Sequence, residues 1–141
     1  MAQTMQFDLV SPERRLASLE VTAVQIPGSE GDLTAMPGHM HLITTLRPGV
    51  LKVSGSGGDQ EFVVTGGFAE VGEGLTVLAE NAVLRSDMKQ SDFDKMMQEA
   101  KKSYDQVTEN AVSEPALIDD AKKMMSDMIA LGDEIGLNTG R

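Results

Sequence analysis

At 141 residues the chain has the length of one medium domain, or of a small domain with an appendage. Apolar residues make up 40 % of it but aromatics only 4 %, so its core must be built from Val, Leu, Ile, Met and Ala. A formal charge of −10 argues against nucleic acid or an anionic membrane surface as a main partner, and the absence of cysteine rules out disulfides, thiolate metal sites and thiol nucleophiles.

The first residues carry no basic region followed by an apolar run, so no secretory signal is expected. No run approaches the ~18 consecutive apolar residues that a membrane-crossing helix needs. From there to about Asp87 the pattern is one of short strands separated by turn signals. Met5, Phe7 and Leu9 alternate with polar residues. Val21–Ile26 is rich in β-branched residues and is expected to end at Pro27-Gly28. His41–Leu46 stops at Arg47-Pro48-Gly49, and Val50–Val53 runs into the turn-rich Ser54–Asp59. Glu61–Thr65 and Phe68–Val71 read as two strands separated by Gly66-Gly67, followed by Leu75–Ala79. Many short strands at this spacing predict an all-β sandwich or barrel over residues 1–87.

The hydrophobic period then becomes helical, which predicts an antiparallel two-helix hairpin over residues 88–141. Phe93, Met97, Ala100, Tyr104, Val107 and Ala111 form one stripe, with Ser91 as the expected N-cap. Ser113-Glu-Pro115 announces a second helix, whose stripe is Leu117, Ala121, Met124, Met128, Leu131 and Ile135, closed by Gly136. Such a hairpin buries little by itself, so it is expected to dock on the β domain or on a partner.

A search for chemistry is mostly negative. His39-Met-His41 lacks a third ligand, so it reads as a turn histidine plus a strand histidine rather than a metal site. Ser11 has no evident base. Gly55-Ser-Gly-Gly58 has no following lysine and reads as a hairpin turn rather than a phosphate loop. Glu30 and Asp32 lie in a glycine-bounded segment, too few carboxylates for calcium, and read as an exposed interaction loop. No catalytic residue, cofactor or metal is expected.

One segment is more specific. Gly28-Ser-Glu-Gly-Asp-Leu33, Pro37-Gly38-His39 and Leu42-Ile-Thr-Thr-Leu-Arg-Pro-Gly49 resemble the signature of the epsilon subunit of rotary proton-translocating ATP synthases, of the bacterial type. Leu9-Val-Ser-Pro-Glu13, Gly66-Gly67-Phe68-Ala-Glu-Val71 and Thr76-Val-Leu-Ala-Glu80 extend the likeness, which covers the whole chain. The resemblance implies a non-catalytic central-stalk subunit that rotates with the gamma subunit and the membrane c-ring. It would couple proton flow to ATP synthesis or hydrolysis while peripheral on the cytoplasmic face of a bacterial inner membrane. Membrane contact would come only through the complex. Glu30, Gly31 and Asp32 match the family's loop facing the polar loops of the c-ring, with Pro37, Gly38 and His39 nearby, and Ser11 matches a gamma-facing position.

In the family the hairpin can extend towards the catalytic alpha and beta subunits and hinder hydrolysis. Some members bind ATP through an [IL]-D-x-x-R-A motif, which is the alternative implied here: an ATP-sensing conformational regulator of ATPase activity. The corresponding stretch is Ser91–Glu99, where Met96 or Met97 stands at the family arginine and Asp94 matches in one alignment. Without a guanidinium a phosphate loses its bidentate partner, so ATP binding is not expected. The second helix offers only Lys122 and Lys123 before Arg141, against four aspartates and a glutamate, so weak inhibition at best is expected. A stand-alone β-sandwich enzyme or ligand-binding protein, the remaining reading, lacks a catalytic constellation.

Overall fold

A computed structural model describes residues 3–38, 41–55, 57–110 and 115–137. The chain divides into two compact units, residues 1–87 and 88–141. The first is an all-β sandwich and the second a pair of helices. Among the described residues the strands are β1 (Met5–Val10), β2 (Arg15–Gly28), β3 (Gly31–Ala35), β4 (Leu42–Thr45), β5 (Gly49–Gly55), β6 (Gly58–Val71) and β7 (Leu75–Leu84).

The strands form one ladder in the order β1-β7-β6-β5-β2-β3, with β4 on β6 and β1 also paired with β2, so the sheet closes on itself. Among the described strands every pairing is antiparallel except β1 with β7. Closure covers most of the backbone edges that an open sheet would expose. Inside lie Phe7, Leu9, Val21, Val24, Ile26, Leu51, Val64, Val71, Leu75 and Val77, all essentially without solvent contact. Each such side chain contributes about 1.5–3 kcal/mol by leaving water. The alternation predicted for β1 is present: Met5, Phe7 and Leu9 point in.

Two glycine-containing pairs behave differently from their expected role as strand ends. Pro27-Gly28 does not end its strand, because β2 runs from Arg15 through Gly28. Pro27 occupies the last pairs of the β2–β3 ladder, where a missing donor costs least. Nor does Gly66-Gly67 separate one strand from the next: both residues lie inside β6, with φ of +68° and +96°. β6 pairs with β5 up to Val64 and with β4 from Phe68. The glycines therefore stand where one strand passes from one layer of the sandwich to the other. A Cβ on Gly67 would fall 1.9 Å from the Leu78 carbonyl oxygen, so only glycine fits this corner.

The helical unit comprises α1 (Gln90–Asn110) and α2 (Pro115–Ile135), packed against each other. Ser91 is not the cap of α1. The helix begins at Gln90, and the Lys89 N–H donates to Asp92 Oδ2 at 3.2 Å, one half of a capping box with Lys89 in the cap position. Pro115 opens α2 as far as the described residues go, while the expected cap Ser113 lies outside them, as does Ala111. At the far end the Leu137 N–H donates to the Gly132 carbonyl at 2.9 Å and the Gly136 N–H to Asp133 at 3.3 Å, the paired bonds of a Schellman stop. Phe93, Met96, Ala100, Met128 and Leu131 are buried, whereas Leu117 is 49 % exposed. Burial is thus concentrated near the start of α1 and the end of α2.

Replacing Gly67 with Ala should lower the unfolding free energy by at least about 2 kcal/mol, from a disallowed φ and a backbone collision. A urea titration of the full chain measures it.

Candidate functional site

The segment Gly28–Asp32 is a tight hairpin turn rather than an open loop. Gly28 pairs with Gly31 and Pro27 with Asp32, leaving only Ser29 and Glu30 to reverse the chain. Gly28 must lack a side chain, since a Cβ there would come within 2.7 Å of the Gly31 carbonyl oxygen. Glu30 is exposed at the tip, and Asp32 is already a residue of β3.

The connection between β4 and β5 braces this turn. The Ser29 N–H donates to the Thr45 carbonyl at 2.9 Å and the Thr45 hydroxyl to Ser29 Oγ at 2.7 Å. Gly28 and Leu46 form a β-bridge, and the Arg47 N–H donates to the Pro27 carbonyl at 3.0 Å. The Arg47 guanidinium makes an ion pair with the Asp32 carboxylate. Leu46 in turn donates its N–H to Gly67 at 3.0 Å, which ties the brace to the corner of β6.

The other candidate contact residues lie elsewhere. Pro37 and Gly38 follow the opposite end of β3, so the five-residue strand puts roughly 15 Å between them and the turn. His39 lies outside the described residues. Ser11 sits in the β1–β2 connection, where its N–H and the Arg14 carbonyl are 2.9 Å apart. The structure thus gathers Glu30, Gly31 and Asp32 and separates Pro37, Gly38 and Ser11 from them.

Pattern reading missed an exposed apolar strip. Cross-strand partners share a face, so Val10, Leu78, Phe68 and Thr45 form one row across β1, β7, β6 and β4. Ile43 stands beside it, paired with Glu70. Exposure reaches 66 % at Ile43 and 39 % at both Phe68 and Leu78. The strip runs from Val10, next to Ser11, to Thr45, which holds the turn. Across the opposite layer the equivalent row is polar: Thr34, Gln25, Lys52 and Glu61, with Arg85 donating to Glu61 at 2.7 Å. The signal in the sequence was Phe68 and Leu78 sitting out of step with their inward neighbours Ala69 and Val77, which only the register reveals as one row.

Among the described residues no three His, Cys, Asp or Glu side chains gather as a metal site. His41 is exposed, with its ring against Gly72. In the helical unit Met96 is buried and Met97 half-buried, so the positions corresponding to the family arginine carry apolar packing. A groove between α1 and α2 is lined by Lys101, Tyr104, Asp105, Lys122, Met125 and Ile129.

Comparison with known proteins decides the family. Residues 4–85 match the family described as ATP synthase, Delta/Epsilon chain, beta-sandwich domain. The chain is 54 % identical to the ATP synthase epsilon chain of Ruegeria sp. (strain TM1040) over 138 residues, covering 97 % of this chain and 100 % of that one. The chain belongs to the ATP synthase epsilon-chain family. The Rhodobacter capsulatus epsilon chain is 53 % identical over the same shares of both chains. A chain of the Euglena gracilis mitochondrial ATP synthase has the same fold, with a TM-score of 0.66 at 21 % identity over 94 % of this chain and 81 % of that one. As a member of this family the protein is a non-catalytic subunit of an ATP synthase. Among the described residues no helix is long and apolar enough to cross a membrane.

Gly28→Ala should cost about 1–3 kcal/mol of stability through overpacking at the turn. It should also raise hydrogen exchange at the Ser29 amide, measurable by NMR on the folded variant.

Proposed function

We propose that the protein is a rotor subunit of the central stalk of a proton-translocating ATP synthase. It couples rotation of the c-ring to ATP synthesis or hydrolysis from the cytoplasmic face of a bacterial inner membrane. The observation that carries this reading is the apolar strip Ile43, Phe68, Leu78 and Val10 on one outer face of the β-sandwich, in a chain of this family. A contiguous apolar surface of this kind marks a protein interface. The gamma subunit is the partner assigned to it, with Ser11 at one end of the contact.

The β2–β3 turn is assigned to the polar loops of the c-ring. Its tip presents the Glu30 carboxylate on a short, braced turn, suited to a cationic group on a partner. Pro37 and Gly38 belong to a separate contact, since β3 carries the chain away from the turn before Pro37 is reached. Transmission of torque requires a stiff body, and the closed ladder supplies one.

The hairpin acts at most as a weak brake. Its groove offers Lys101 and Lys122 beside Asp105, and among its described residues there is no arginine to grip a phosphate or an acidic surface in two-pronged fashion. This favours the stalk reading over an ATP-sensing regulator, and it leaves the catalytic alpha and beta subunits as minor partners.

From detergent-solubilised membranes the tagged protein should recover gamma and the c-ring together; recovery with neither sinks the reading. Phe68→Asp combined with Leu78→Asp should leave the fold intact and cut recovery of gamma at least about tenfold, because two apolar side chains lose their burial. Deleting residues 88–141 should leave coupled synthesis in membrane vesicles largely intact and change ATP hydrolysis by less than about twofold, given the weak electrostatic grip of the hairpin. A several-fold rise in hydrolysis would show a strong brake instead.

A further inference from the structure

We propose that Arg47 is a positioning residue for the β2–β3 turn, and that Asp32 acts through Arg47 rather than on a partner. This rests on the reading that the turn meets a cationic surface of the c-ring. The two legs of the turn are held in different ways. The β2 leg is fastened by main-chain contacts: Pro27 accepts from the Arg47 N–H, Gly28 bridges Leu46, and Ser29 donates to Thr45. These survive almost any side-chain change. The β3 leg lies at the end of the strand order and, among the described strands, pairs only with β2, through Gly28 with Gly31 and Pro27 with Asp32. Its side-chain tie across to the brace is the ion pair between Asp32 and the Arg47 guanidinium.

Two consequences follow from this geometry. The guanidinium fixes the leg on which the chain leaves Glu30, so it limits the directions the tip can take. It also engages the Asp32 carboxylate inside the chain, which makes Glu30 the carboxylate that the turn offers outward. A partner site built for this turn therefore needs one cationic group opposite Glu30 and none opposite Asp32.

The test uses the full-length protein and purified c-ring in detergent. Arg47→Ala should speed amide exchange across Gly31–Leu33 about three- to fivefold, the scale of an exposed ion pair, while Ser29 stays protected by Thr45. It should weaken c-ring binding by a similar factor. The exchanged pair, Asp32→Arg with Arg47→Asp, should restore both to within about twofold of the original protein. Unchanged exchange at Gly31–Leu33 in Arg47→Ala overturns the positioning role. A swapped pair that binds the ring as poorly as the single variant, or worse, shows that Asp32 meets the partner directly and overturns the proposal. Glu30→Gln separates the underlying reading: if it binds the ring as the original does, the turn does not face the ring, whatever Arg47 does to exchange.

Discussion

Gly66 and Gly67 take backbone angles that other residues resist, and the sandwich turns on that corner. A fourteen-residue strand without it would run on in one layer. With it, β6 pairs with β5 on one side of the corner and with β4 on the other, so the sheet folds over its own core. The Leu46 N–H then finds the Gly67 carbonyl, Leu46 bridges Gly28, and Arg47 reaches Pro27 and Asp32. Main-chain contacts thus lead in a few steps from a corner in the core to the exposed tip at Glu30. The turn inherits its stiffness from the sheet and not from its own sequence.

The two outer faces of the sandwich divide the labour. One carries the polar cross-strand row Thr34, Gln25, Lys52 and Glu61, with Arg85 paired to Glu61. The other carries Phe68, Leu78 and Val10 in a line, with Ile43 alongside. In a chain of charge −10 this face sets the exposed side chains of Ile43, Phe68 and Leu78 close together. Apolar burial gives grip without direction, while a carboxylate at a braced tip gives direction with little grip. The proposed contacts with gamma and the c-ring would use both.

Much of the fold was legible from pattern. The alternation of Met5, Phe7 and Leu9 and the helical stripes through Phe93 and Met128 each follow a single element's period, which sequence displays directly. Misreadings fell where a residue serves a long-range contact. Pro27-Gly28 looks like a terminator, yet β3 pairs with both, so they close a hairpin inside the sheet. Gly66-Gly67 looks like a turn, yet it is a corner whose purpose appears only with β4 and β5 beside it. Ser91 looked like a cap by residue type, but the Asp92 carboxylate accepts from the Lys89 amide and the helix starts two residues earlier. Of the described candidate contact residues only Glu30, Gly31 and Asp32 came together, because five residues of strand carry the chain away before Pro37.

By itself the sequence determined the division into a β half and a helical half, the inward alternation of the first strand, and the family. Those properties reside in hydrophobic period and in short motifs, both of which are local. Tertiary structure alone decided that Val10, Leu78, Phe68 and Thr45 share one row, and that Asp32 belongs to Arg47 while Glu30 stands outward. These depend on strand register and on which strands become neighbours. Both are settled by closing the sheet around its core, an event that joins residues dozens of positions apart.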